Sequence, residues 1–168
     1  MPSPILVRLQ TDYDKVRKLV AGSGGTLKLV RTVGTPPTSY VIEYHCPSLV
    51  KDSSGNFIQR DHHQVEIILR ANYPFEKPSA RMLTPVFNPH VFLSNAICLG
   101  GVWNPAETLD TLILQIGALL QLDPRVLNAN SPANIEANLW TQNNRARLPI
   151  GKISFKAPDQ EQKRIQWS

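Results

Sequence analysis

Cysteine is scarce in this sequence: Cys46 and Cys98 are the only two in 168 residues, and they form no CxxC pair. That excludes a disulfide framework and a zinc ribbon, and it makes reduced thiols in a cytoplasmic setting the expectation. Long hydrophobic runs are also missing. No stretch reaches the roughly 20 apolar residues that a membrane-spanning helix needs. The first residues lack the charged-then-apolar order of a secretory signal, so neither export nor a membrane partner is expected. Internal repeats and low-complexity tracts are absent, and nothing points to a cofactor. With 42% hydrophobic and 18% charged residues, the chain has the composition of one globular domain with a core of its own. The net charge of +5 would suit an acidic partner. Nucleic acid is one, but the basic residues are scattered rather than striped, which argues against it.

What is present begins with a helix. Ile5, Leu9, Tyr13, Val16 and Val20 fall on one arc at 3.6-residue period, and Gly22-Ser23-Gly24-Gly25 ends it. Arg8, Lys15 and Lys18 gather on a neighbouring face, for which solvation is the default reading. Residues 27–33, 40–46 and 64–70 read as strands, joined by turns at 34–37 and 51–56. Short connections make an antiparallel meander. Pro74 and Pro78 place the next segment in a loop at the end of the sheet, before a fourth strand at 80–83. Residues 84–103 carry no periodicity, and a loop of that length inside a compact domain is usually functional.

Asn104 or Thr108 is placed to cap a helix whose apolar stripe runs Leu109, Leu112, Ile113, Ile116, Leu119, Leu120. Asp123-Pro124 stops it. Ser131-Pro132-Ala133-Asn134 opens another helix, with Ile135, Leu139 and Trp140 available for burial. Residues 1–144 read as one domain. Residues 145–168 form a polar, basic tail of unassigned structure, relieved only by Pro149-Ile150 and Ile153-Ser154-Phe155.

The two cysteines differ in setting. Cys46 ends a strand-like apolar run and reads as packing material, whereas Cys98 lies among the Gly, Asn and Pro residues of an exposed loop. His45 and Cys46 with His62 and His63 lack metal-ligand spacing, since adjacent strand residues point to opposite faces. Trp103 is expected to pack beneath the Cys98 loop.

The order of elements resembles the ubiquitin-conjugating enzyme family, and five motifs in register carry the resemblance across residues 73–140. Tyr73-Pro74-Phe75 with Pro78 comes first, then Thr84-Pro85-Val86-Phe87. Ile97-Cys98-Leu99 resembles the family's active-site signature. Trp103-Asn104-Pro105-Ala106 follows, and Asp123-Pro124 with Ser131-Pro132-Ala133-Asn134 completes the set. The first 70 residues resemble the family in pattern only. Two departures stand out. The family's His-Pro-Asn is here Asn88-Pro89-His90, so by spacing Asn88 falls on the family's His and His90 on its Asn. The stretch between Cys98 and Trp103 is shorter than the common family form by about three residues. Such distance suggests a divergent member, with a prokaryotic source as the expectation.

The resemblance implies an α+β fold: an N-terminal helix, a four-stranded antiparallel meander, an active-site loop, then two helices. It implies that Cys98 accepts a ubiquitin-like modifier as a thioester from an activating enzyme and passes it to an amine, with or without a separate ligase. His90 or Asn88 would steady the oxyanion, with bonding within their own turn as the plain alternative. Asn128 would stand where the family places a residue beside the approaching lysine. Arg8, Lys15 and Lys18 would dock the activating enzyme. An inactive binding protein of the same fold is the alternative, against which the retained cysteine argues. A cysteine hydrolase would need His and an orienting Asp or Asn around Cys98.

Overall fold

In a computed structural model the described residues are 1–127, 131–148 and 153–155. They form α1 (Pro4–Ala21), β1 (Leu27–Gly34), β2 (Pro37–Lys51), β3 (Phe57–Ile68), β4 (Ser79–Met82), α2 (Leu109–Leu120) and α3 (Ile135–Asn143), with a 3-10 turn at Arg145–Arg147. The strands lie in sequence order, β1-β2-β3-β4, and every pairing is antiparallel. This is the α+β meander that the sequence predicts.

The strands of the central hairpin run further than the side-chain pattern indicates. At its far end residues 58–62 are all exposed, so no apolar alternation marks a strand there. Backbone pairing continues nonetheless, from Ser48 opposite Arg60 to Lys51 opposite Phe57, beyond a register shift between His45 and Ser48. Asp52 closes the turn by accepting from the backbone N–H groups of Ser54 and Asn56 at 2.9 and 2.8 Å.

Ser3 caps α1, and Leu9 and Val16 are buried on its inner stripe, although Ile5 is exposed. The core forms where α2 lies on the sheet. Leu109, Leu112, Ile113, Ile116, Leu119 and Leu120 meet Tyr40, Ile42, Tyr44, Val65 and Ile67. Each such side chain taken fully out of water contributes about 1.5–3 kcal/mol. The Tyr44 hydroxyl is buried in this layer and donates to the Ile113 carbonyl at 2.7 Å.

One expectation needs correction. In α3 the buried residues are Ala137, Asn138 and Thr141, while Ile135 and Leu139 are exposed by 68% and 55%. The helix is turned by Trp140, whose half-buried ring meets Phe57 at a tilt with centroids 4.4 Å apart and Phe87 edge-on at 6.3 Å. Part of the stretch after Asn144, which the sequence left unassigned, packs on the core. Phe155 is buried edge-on against Tyr44 at 5.7 Å, in space left by Gly117, where an added Cβ would lie 2.3 Å from its ring. Gln121 pairs with the Ile153 backbone through both its amide nitrogen and its oxygen, each at 3.0 Å. Residues 149–152 and 156–168 of the expected tail lie outside the described residues.

Candidate active site

The segment that leads to Cys98 has no side-chain periodicity, yet its backbone is tightly bonded. Ile97 donates to Ala80 at 2.9 Å and Met82 to Asn95 at 2.8 Å, so residues 95–97 run alongside β4. Val91 bridges Ile97, and Asn95 adopts a left-handed φ of 73° in the turn between them. Ile97 is buried. Its neighbour Cys98 is half-buried with a free thiol, as alternation along extended chain requires.

Asn88-Pro89-His90 joins this segment to the two helices that follow. Asn88 is fully buried; its Nδ2 donates to the Leu119 carbonyl and its Oδ1 accepts from the His90 N–H, both at 2.8 Å. The Pro89 carbonyl accepts from Ala133 and Asn134 at 2.8 and 3.1 Å, next to the cap of α3. The His90 carbonyl accepts the Cys98 N–H at 2.7 Å. The His90 ring is buried too. Burial pulls its pKa below the ordinary histidine value, against a hydrogen bond with the Cys98 backbone that pushes it up. The triplet therefore ties the end of α2, the start of α3 and Cys98 together. Asn88 thus bonds both its own turn and α2. Asn128 lies outside the described residues.

The other cysteine is chemically quiet. Cys46 is buried, and burial pushes its thiol up to about 12. Of the adjacent histidines, His62 is exposed and His63 fully buried, on opposite faces of β3 as strand alternation predicts.

Arg8 does not share the setting of Lys15 and Lys18. Both lysines are exposed, whereas the Arg8 guanidinium reaches the Pro105 and Glu107 carbonyls at 2.6 and 2.5 Å and Asp12 at 2.8 Å. Asp12 is fully buried; it accepts from the Tyr73 hydroxyl at 2.5 Å and from the Leu109 N–H at 3.3 Å. Arg8 is thus partly buried and tied to the loop before α2, unlike Lys15 and Lys18. Its partly buried side chain is held there by the planar fork of donors that lysine lacks. Asp12 escaped the sequence reading, although an acid inside the Leu9–Val16 stripe was its signal. It caps α2 from another helix, where Thr108 makes no side-chain cap and Asn104 bonds Ala106 instead.

Beyond Cys98 the chain turns through Leu99, Gly100, Gly101 and Val102 to Trp103. The Trp103 indole donates to the Pro74 carbonyl at 2.6 Å and its ring lies 6.4 Å from that of Tyr73, so it packs against the loop that precedes β4.

The sequence pattern described as "Ubiquitin-conjugating enzyme" matches residues 47–148, a region that contains Cys98, the triplet and both later helices. The chain belongs to the ubiquitin-conjugating enzyme family. It is 32% identical over 105 residues to ubiquitin-conjugating enzyme E2 T of Xenopus laevis, covering 52% of this chain and 55% of that one. It is 36% identical over 84 residues to ubiquitin-conjugating enzyme E2 13 of Saccharomyces cerevisiae, covering 48% and 52%. To ubiquitin-conjugating enzyme E2 N of Drosophila melanogaster it is 33% identical over 84 residues, covering 48% and 53%. The matches span about half the length of these ubiquitin-conjugating enzymes.

Proposed function

We propose that this protein carries a ubiquitin-like modifier on Cys98 and transfers it to an amine, a lysine of a target protein. The observation that carries the reading is the contrast between the two thiols. Cys98 is half-buried on a segment whose backbone is fixed to His90, inside the region that matches the family. Cys46 is buried with its thiol held protonated.

The Cys98 thiolate attacks the carbonyl at the end of a modifier delivered as a thioester. The activating enzyme's thiolate leaves and a new thioester forms. Sulfur suits this relay because a thioester stays reactive toward nitrogen. A deprotonated lysine amine then attacks the same carbonyl, an amide bond forms, the Cys98 thiolate departs and the amine's proton passes to solvent. His90 is assigned the contact that steadies the oxyanion; Asn88 positions it. Asn128 is assigned the approach of the lysine, as the resemblance implies. The activating enzyme is expected to dock against exposed Lys15 and Lys18, a ligase being an optional further partner.

The test is a non-reducing gel with an activating enzyme, ATP and modifier. An adduct that thiol reductant dissolves should form with the natural protein and with Cys46→Ala but not with Cys98→Ala. Loss in Cys46→Ala alone would overturn the assignment.

A further inference from the structure

The loop that leaves Cys98 has little beneath it. Residues 99–103 arch over a cleft of about 170 Å³ lined by Leu99, Trp103, Leu112 and Gln115 among others, and Val102 at its crest is 96% exposed. Packing therefore does not set the path of residues 100–102. Their two glycines are explained by conformation rather than by room. A Cβ on Gly100 or Gly101 would meet nothing within 4 Å, yet their φ values are +63° and +51°. Successive left-handed residues are disfavoured for anything but glycine. The outcome is that both carbonyls face one ammonium: Lys77 Nζ donates to the Gly100 carbonyl and, at 3.2 Å, to that of Gly101. Lys77 lies in the loop before β4, between Pro74, which holds Trp103, and Pro78.

We propose that Lys77 is a positioning residue for transfer from Cys98, a charged latch that holds the short Gly100–Gly101 loop in one conformation beside the thiol. The inference rests on the proposed function, in which an incoming amine must find the thioester at a fixed lip. A loop over an open cleft gains from two carbonyls on one cation what packing does not supply. Charge-assisted bonds are about twice as strong as neutral ones, although solvent weakens this exposed pair.

Two measurements on the whole protein decide it, using Lys77→Met and Lys77→Arg. The first is 15N relaxation of the Gly100, Gly101 and Val102 amides. Order parameters near about 0.85 should fall below about 0.6 in Lys77→Met and recover in Lys77→Arg. The second is single-turnover discharge of loaded Cys98 to free lysine, expected to slow by about fivefold in Lys77→Met, with loading unchanged and Lys77→Arg restored. Mobile amides in the natural protein, or none loosened by Lys77→Met, would overturn the latch. A loosened loop with unchanged discharge would overturn its role in transfer. Should the natural protein never discharge, the proposed function fails, while relaxation still decides whether the latch exists.

Discussion

Cys98, Asn88 and His90 show how a few side chains divide the work of one site. Asn88 has no exposure and makes two hydrogen bonds, so its amide completes the fold around the cysteine. Replacing it with Ala leaves the Leu119 carbonyl and the His90 N–H without those partners, at about 1–3 kcal/mol for each buried group. Asn88→Ala is therefore expected to lower the urea midpoint clearly and to disturb loading and discharge alike. His90→Ala should behave differently: loading of Cys98 persists while discharge to lysine slows on the order of a hundredfold, the usual effect of losing one oxyanion donor. A discharge rate untouched by His90→Ala would remove His90 from that role. Spacing to the cysteine made the triplet legible in the sequence. It could not show that Asn88 reaches α2, because that bond is made with Leu119, some thirty residues further along the chain.

Among the elements, α2 has the clearest sequence signature and the least predictable cap. Six apolar residues at helical spacing announce its buried face, and all six are buried. Its N-terminal amide is met by Asp12 of α1, which also holds Arg8 and Tyr73. Asp12→Ala would leave a partly buried guanidinium, the Tyr73 hydroxyl and the Leu109 N–H without their shared acceptor. The loss is expected at about 3 kcal/mol, at the low end for a broken buried pair because Arg8 keeps some solvent contact. Denaturant titration checks it; a change of a few tenths would mean that water replaces the carboxylate. Gly117 supplies a second test. Its replacement by Ala drives a methyl into the Phe155 ring, and overpacking typically costs about 1–3 kcal/mol. Near-UV dichroism should register the displaced Phe155–Tyr44 contact. Unaltered dichroism and stability would show that the ring is not seated there in solution.

For the molecule as a whole, two buried histidines set an acid limit. Burial lowers the pKa of both His63 and His90 below the ordinary 6.5. Around and below that value the unfolded chain binds protons that the folded chain refuses, so stability rises with pH through this range. The contribution of the neutral rings is complete above about pH 6.5 and is lost as pH falls toward their folded-state values. Unfolding midpoints at about pH 5.5 should therefore lie below those at about pH 7.5, and His63→Gln should flatten the difference. An equal slope in that variant would assign the acid sensitivity to other groups. The net charge of +5 acts at longer range. Reversing exposed Lys15 and Lys18 to Glu should slow loading by an activating enzyme and weaken its salt dependence; unchanged loading would leave them as solvated surface.

Local chemistry alone determined much of this protein. Apolar period placed α1 and α2, turn residues at 34–37 and 51–56 closed the meander, and loop composition set Cys98 apart from the strand-like run of Cys46. These features are legible because helix period, turn conformation and loop composition are set by neighbours within a few residues. Tertiary structure decided the rest. It showed that β2 and β3 pair beyond their apolar alternation, that α3 turns on Trp140 rather than Leu139, and that Phe155 returns to the core over Gly117. It tied Arg8 to a buried carboxylate and gave Lys77 two carbonyls to hold. Each of these depends on groups far apart in the chain, whose meeting is settled only when the core closes. A basic residue on a helix face reads the same in sequence whether it meets water or a buried carboxylate.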